Sequence, residues 1–122
     1  KVDANSEYFV MDGHSLENTQ AICERFGNMT CESSSTVDAA NHWNGHPVDV
    51  LFVDADHTEA GTLVNVEAWF RHMNKNSIII FHDNNDAHPG VQSAILRLEK
   101  GDRFRFFSPG EHAGSIAVCE VL

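Results

Sequence analysis

The sequence predicts an α/β domain whose sheet is mostly parallel and closes with an antiparallel pair of strands. Three observations carry this expectation. Val48–Val53 and Ser77–Phe81 are short, nearly continuous apolar runs, as expected of strands buried on both faces of a parallel sheet. Strand-like and helix-like segments alternate as far as Gly101, the pattern of β-α-β units. Beyond that point Arg103–Phe107 alternates charged and aromatic residues, and Ser115–Leu122 is apolar again. The Pro- and Gly-containing stretch between them makes the end of the chain a hairpin.

Each element follows from local chemistry. Tyr8–Met11 is an apolar strand that ends at Asp12-Gly13. Ser15 is placed to cap a helix from Leu16 to Phe26, with Ile22 and Phe26 at helical spacing, and Gly27 stops it. Asn28–Glu32 reads as a weak strand. The serines 33–35 form a polar loop able to cap a short helix, Val37–Trp43, and Asn44-Gly-His-Pro47 is a turn. Thr58 caps a longer helix running to about Met73, with Leu63, Val66, Trp69 and Phe70 on one stripe. Residues 74–76 turn the chain into the Ser77–Phe81 strand. Pro89 or Gly90 opens a helix that runs through Leu98 and is ended by Lys100-Gly101.

A chain of 122 residues, 42% of them hydrophobic, fits one domain spanning residues 1–122 with a single core. Its formal net charge of −10 repels nucleic acid and anionic membranes, so neither is an expected partner. No apolar run reaches membrane-spanning length. Cys23, Cys31 and Cys119 are odd in number and contain no Cys-x-x-Cys pair. That suggests buried free thiols and a cytoplasmic setting. Lys1 stands where a start methionine would, so an N-terminal truncation is expected.

The polar clusters fall where ligands bind in open α/β sheets, just past the carboxyl ends of strands. They are Asp12-Gly-His14, Glu32-Ser-Ser-Ser35, Asp54-Ala-Asp-His57 and His82-Asp-Asn-Asn-Asp86. Asp54 and Asp83 each come straight off a buried strand, where like charges repel and desolvation penalises both. A divalent cation relieves both costs. With the Asn84 amide oxygen they make a hard-oxygen site suited to Mg²⁺, with Ca²⁺ or Mn²⁺ as substitutes. Taken singly, either aspartate is better read as a helix cap. His57 and His82, beside the acids, can act as a general base or an extra ligand. His88 follows in the next loop; a histidine-rich zinc site is an alternative, but no His-x-x-x-His helix or Cys pair supports it. His14, His42, His46, His72 and His112 read as surface or turn residues. Trp69, Phe70, Phe104, Phe106 and Phe107 read as packing.

The stretch Val48-Asp-Val-Leu-Phe-Val-Asp-Ala-Asp-His57, the helix carrying Glu67-Ala-Trp69, then Ile78-Ile-Ile-Phe-His-Asp83 and His88-Pro-Gly-Val91, together resemble the second half of a class I S-adenosylmethionine-dependent methyltransferase. The resemblance is closest to methyltransferase family 24 and the related cation-dependent O-methyltransferases. It is specific from Val48 to Val91 and loose before that. It implies a three-layer, Rossmann-like methyltransferase sheet. It also implies S-adenosylmethionine as cofactor, Mg²⁺ or another divalent cation, and a small hydroxylated acceptor. Under it Asp54, Asp83 and Asn84 match metal ligands. Asp12 matches the acid that holds the cofactor ribose, with Gly13 beside it, and Ser34 and Ser35 match the adenine loop. Asp54 also borders the cofactor. His57 or His82 would stand nearest the acceptor hydroxyl. Two departures stand out. The family's Gly-rich first strand is missing or replaced, and its Pro-Gly-Gly turn is here Asn74-Lys-Asn-Ser77.

Two other readings start from the same residues. One is a non-catalytic, degenerate α/β domain that binds metal or a protein partner through this edge. The other is a metal-dependent hydrolase using Asp54, Asp83 and His57. A missing central strand would also leave exposed edges, so a homo-oligomer is expected.

Overall fold

The computed structural model describes residues 7–11, 16–107 and 114–122, with side chains from residue 18 onward. In order, the elements are β1 (Glu7–Met11), α1 (Leu16–Arg25), β2 (Met29–Ser33), α2 (Thr36–His42), β3 (Val48–Val53), α3 (Glu59–Phe70), β4 (Met73–Phe81), α4 (Pro89–Glu99), β5 (Phe104–Phe107) and β6 (Ala117–Val121). The chain divides into two compact units, Lys1–His46 and Pro47–Leu122. Among the described residues no helix is long and apolar enough to cross a membrane.

In the first unit β1 and β2 pair in parallel, Tyr8 opposite Thr30 and Val10 opposite Glu32. Ser35 caps α2, its Oγ accepting from the Asp38 N–H at 3.1 Å and donating to Asp38 Oδ2 at 2.7 Å. Ala39 and Ala40 are the buried residues of that helix. Cys23 of α1 is also buried, and burial together with the neighbouring Cys23 thiol raises the pKa of Cys31. Ile22 of α1 and Phe26, just past its end, are about half exposed.

The second unit holds a four-stranded sheet in the order β3-β4-β6-β5. β3 and β4 are parallel, and β6 runs antiparallel between β4 and β5. The closing hairpin expected from the sequence is therefore present, with its second strand inserted next to β4. Ladder partners alternate between the two faces. Leu51, Ile79, Cys119 and Phe106 lie in one row, and Val53, Phe81 and Ala117 in another, both on the face covered by Val66 of α3 and Val91, Ile95 and Leu98 of α4. Phe81 stacks on Phe106 with centroids 6.1 Å apart. Cys119 is wholly buried here, which pushes its thiol pKa up to about 12.

Two expectations are corrected. β3 and β4 are not buried on both faces, because α3 and α4 cover only one. Val50 and Phe52 are 58% and 55% exposed on the other. Their apolar character reflects the strand's β-preference rather than burial in this structure. Second, α3 stops at Phe70, and β4 begins at Met73, so residues 74–76 belong to a strand irregularity rather than a free turn. The register jumps between the Val48–Met73 and Val50–Ile78 pairs. Asn76 takes a left-handed backbone, φ +69°, a conformation asparagine tolerates better than most residues. The buried Ser77 satisfies the gap, donating from Oγ to the Val48 carbonyl at 2.9 Å and accepting from the Asn74 N–H at 3.1 Å.

Thr58 begins α3 as the sequence predicts. Its Oγ1 accepts from the Gly61 N–H at 3.0 Å. Thr58→Ala is expected to lower stability by about 1 kcal/mol, the usual effect of losing an N-cap. Denaturant titration of both proteins measures it, and an unchanged midpoint would count against the cap.

Candidate active site

The site starts from strand register. Val53 pairs with Phe81, so the residues after them leave the sheet side by side. The His82 N–H donates to the Val53 carbonyl at 3.0 Å and carries the ladder one step further. Asp54 and His82 therefore emerge together, with His82 Nδ1 3.5 Å from Asp54 Oδ1. Asp83 then takes a left-handed backbone, φ +58°. Aspartate enters that region more readily than most residues, but at some cost in strain. The turn is anchored where Asn84 N–H donates to the Ser115 carbonyl at 2.8 Å and Asn85 Nδ2 donates to Ser115 Oγ at 2.9 Å.

From this turn the Asp83 carboxylate meets three imidazoles. Oδ2 lies 2.8 Å from His57 Nε2, and Oδ1 lies 3.1 Å from His82 Nδ1 and 3.9 Å from His88 Nε2. Partial burial opposes ionisation of Asp83. The contact with His82 and the positive potential of His82, His88 and His57 outweigh it and hold the carboxyl below its ordinary value. His82 Nδ1 is itself buried and makes no hydrogen bond of proper geometry. At 3.1 Å from the carboxylate of its neighbour in the chain it is near enough for attraction, but the ring N–H is misdirected.

Local structure explains how the histidines arrive. Asp56 Oδ1 accepts from the Thr58 N–H at 2.7 Å, which closes the β3–α3 loop and points His57 toward Asp83. Those bonds from Thr58 hold the Asp56 carboxyl below its ordinary value, so this aspartate is engaged in shaping the loop. Thr62 Oγ1 ties the same turn through the Asp56 and Thr58 carbonyls. His88 is the residue before α4, and its side chain makes no capping hydrogen bond. Its ring lies 4.2 Å from that of His57, tilted by 40°. Gly90 allows this approach: a Cβ there would sit 2.4 Å from the His57 carbonyl oxygen and 2.8 Å from Glu59 N. A small pocket is lined by Asp54, His57 and His82 of the cluster together with Val53, Phe81 and Val91.

Of the residues singled out in the sequence, Asp54, His57, His82 and Asp83 are brought together. Asn84 contributes its main-chain N–H to the turn. In the first unit the Ser34 hydroxyl donates to Glu32 Oε1 at 2.7 Å, and the Ser35 hydroxyl is engaged in capping α2. Asp12 and Gly13 lie outside the described residues. His88, read from sequence only as a loop residue, belongs to the cluster. Its signal was the His88-Pro-Gly-Val91 motif, in which Pro89 starts the helix and Gly90 permits the close approach.

A methyltransferase-domain family model matches residues 2–84. The chain belongs to the family 24 methyltransferase domains. The fold agrees. A solved SAH-bound methyltransferase of Podospora anserina superposes with a TM-score of 0.75 at 13% identity, over 98% of this chain and 62% of that one. An rRNA methylase of Streptococcus thermophilus gives 0.69 at 12% identity, over 96% and 74%. An O-methyltransferase of Bacillus cereus in complex with SAH gives 0.67 at 14% identity, over 93% and 61%. This methyltransferase domain thus spans about three fifths to three quarters of the length of these structures. Among curated proteins none is significantly similar in sequence.

Two predictions follow from the geometry. Gly90→Ala is expected to lower stability by about 1–3 kcal/mol, because the new methyl meets main-chain atoms that cannot rotate away. Thermal unfolding reads the loss, and an unchanged midpoint would mean the contact is absent. Because the folded pKa of Asp83 is lowered, its contribution to stability is present above the ordinary carboxylate pKa. It is lost as pH falls through the lowered folded value. The stability difference between the wild type and Asp83→Asn should therefore fade in the acid range below about pH 3.9. A difference that grows on acidification would contradict this.

Proposed function

We propose that this domain transfers the methyl group of S-adenosylmethionine to a hydroxyl oxygen of a small acceptor, aided by a divalent cation. The observation that carries the reading is the convergence of Asp54, His57 and His82 on the Asp83 carboxylate at the carboxyl ends of β3 and β4, in a chain of a methyltransferase family. The SAH complexes of similar fold support the cofactor, and the similar O-methyltransferase supports an oxygen acceptor. The similar rRNA methylase does not bring RNA with it, since a net charge of −10 works against a phosphate backbone.

The donor set fits a cation. Asp54, His82 and Asp83 offer two carboxylates and an imidazole with one ligand atom each within 4.8 Å of the others, and the buried His82 Nδ1 has no properly directed partner. Asn84 remains an expected further oxygen donor. The cation, when bound, would lower the pKa of the acceptor hydroxyl and orient it. The cofactor supplies an electrophilic methyl on a sulfonium sulfur. Ser34 and Glu32, with Asp12, Gly13 and Ser35, remain the residues that the family resemblance assigns to its binding.

His57 is the base in this reading. Its Nε2 lies 2.8 Å from Asp83 Oδ2, and a neutral imidazole keeps one ring nitrogen free to take a proton. S-adenosylmethionine would supply the methyl group and leave as S-adenosylhomocysteine. His57 would take the proton that the acceptor hydroxyl gives up on becoming the methyl ether, and return it to solvent.

Isothermal titration should show S-adenosylmethionine binding, and a panel of catechols and sugars with Mg²⁺ should yield methyl ether. His57→Gln should lower kcat by roughly 10²–10⁴-fold with cofactor affinity unchanged. Absence of cofactor binding by the folded protein, or full activity in His57→Gln, would refute the proposal.

A further inference from the structure

Asp83 is shared between two sets of side chains. Asp54 and His82 form one set with it, His57 and His88 the other, and each set places one ligand atom per residue within 4.8 Å of the rest. Their donor chemistry differs. The first set is carboxylate-rich and suits a hard ion such as Mg²⁺. The second has two imidazoles and one carboxylate, donors that favour Zn²⁺ and the later first-row ions. We infer that His57, Asp83 and His88 form a second metal site, selective for Zn²⁺ over Mg²⁺, and that Zn²⁺ bound there blocks His57 from acting as a base. The blocking step rests on the role proposed for His57 above, whereas the site itself does not.

The geometry suits the ion. Both Nε2 atoms face the same carboxylate, His57 at 2.8 Å from Oδ2 and His88 at 3.9 Å from Oδ1. Ligand atoms around a tetrahedral zinc stand about 3.3 Å apart, given metal–ligand distances of about 2.0–2.1 Å. The observed separations lie on either side of that value, so small side-chain rotations close the site. The main chain holds both histidines in place: Gly90, two residues after His88, lies against the His57 carbonyl with no space for a Cβ between them. The His88 ring is not used as a helix cap, and the His57 and His88 side chains are 43% and 32% exposed, so an ion can reach them from solvent.

The consequence for the base is the loss of its free lone pair. A neutral imidazole has one ring nitrogen able to accept a proton. With Zn²⁺ on Nε2 the ring's one proton sits on Nδ1, and no nitrogen is left to accept another. No redox change is involved. Zn²⁺ also draws on the Asp83 carboxylate that the first site shares, so it opposes methyl transfer at saturating Mg²⁺.

The test is a titration of the whole chain with Co²⁺, a spectroscopic stand-in for Zn²⁺, followed by visible absorption, with Zn²⁺ affinity then read by competition. His88→Gln should weaken both ions by about tenfold or more, since even disturbing a ligand's surroundings has an effect of that size. Asp54→Asn, which removes a nearby charge but no ligand of this site, should weaken them by less than His88→Gln. Circular dichroism checks that each variant is folded. Zn²⁺ inhibition of methyl transfer should weaken in His88→Gln in step with affinity, while S-adenosylmethionine binding stays as in the wild type. Co²⁺ binding that is unaltered in His88→Gln, or lost in Asp54→Asn instead, overturns the second site. Ion binding that depends on His88 in a chain that transfers no methyl group would leave the site standing and refute the proposed function.

Discussion

The parallel register of β3 against β4 is the constraint on which the rest of the site depends. Val53 faces Phe81, and the ladder runs on through the His82 N–H to the Val53 carbonyl. Side chains alternate along a strand, so a slip of one residue would send Asp54 and His82 to opposite faces and turn Ile79 and Phe81 out of the core. The same register that buries Ile79 and Phe81 under α3 and α4 thus delivers an acid and an imidazole to one point. Packing and chemistry are coupled here: the apolar face that stabilises the sheet also sets where its polar ends meet.

Past the strand ends, positioning is done by turns. Asp83 reverses direction through a left-handed backbone that is unfavourable by itself and is held by the Asn84 and Asn85 bonds to Ser115. Asp56 and Thr58 bind loop N–H groups so that His57 projects toward Asp83. Pro89 and Gly90 start α4 hard against that loop and bring His88 alongside. Three separate turns therefore place imidazoles around a single carboxylate. In a chain with net charge −10 this is a local concentration of groups that can carry positive charge, and it keeps Asp83 ionised despite its partial burial.

Much of this was legible in the sequence. Asp54, His57, His82 and Asp83 follow directly on apolar strands, and strand ends are where an α/β sheet exposes polar groups. Thr58 and Ser35 could be read as caps because side-chain bonding to the first helical turn is local. The irregular start of β4 was not legible. Asn74-Lys-Asn-Ser77 has the composition of a turn, and only the distant Val48 carbonyl, bonded by Ser77, shows that these residues join the sheet. The exposure of Val50 and Phe52 was hidden for a similar reason: an apolar residue reads the same whether or not a helix covers it.

By itself the sequence determined the α/β class, most of the elements and their order, the family, and the acidic and imidazole side chains that emerge at β3 and β4. Those are matters of period, capping and local turn chemistry, which depend on residues near one another in the chain. Only the tertiary structure decided that His88 joins the cluster, that Asp83 is its centre, and that Asp56 is engaged in closing the β3–α3 loop. Each of these turns on distances between segments far apart in sequence, or on which of several possible hydrogen bonds a short polar side chain makes. The backbone contact at Gly90 is the clearest case: a glycine after a proline reads as helix-start punctuation, and its necessity appears only once the His57 carbonyl lies against it.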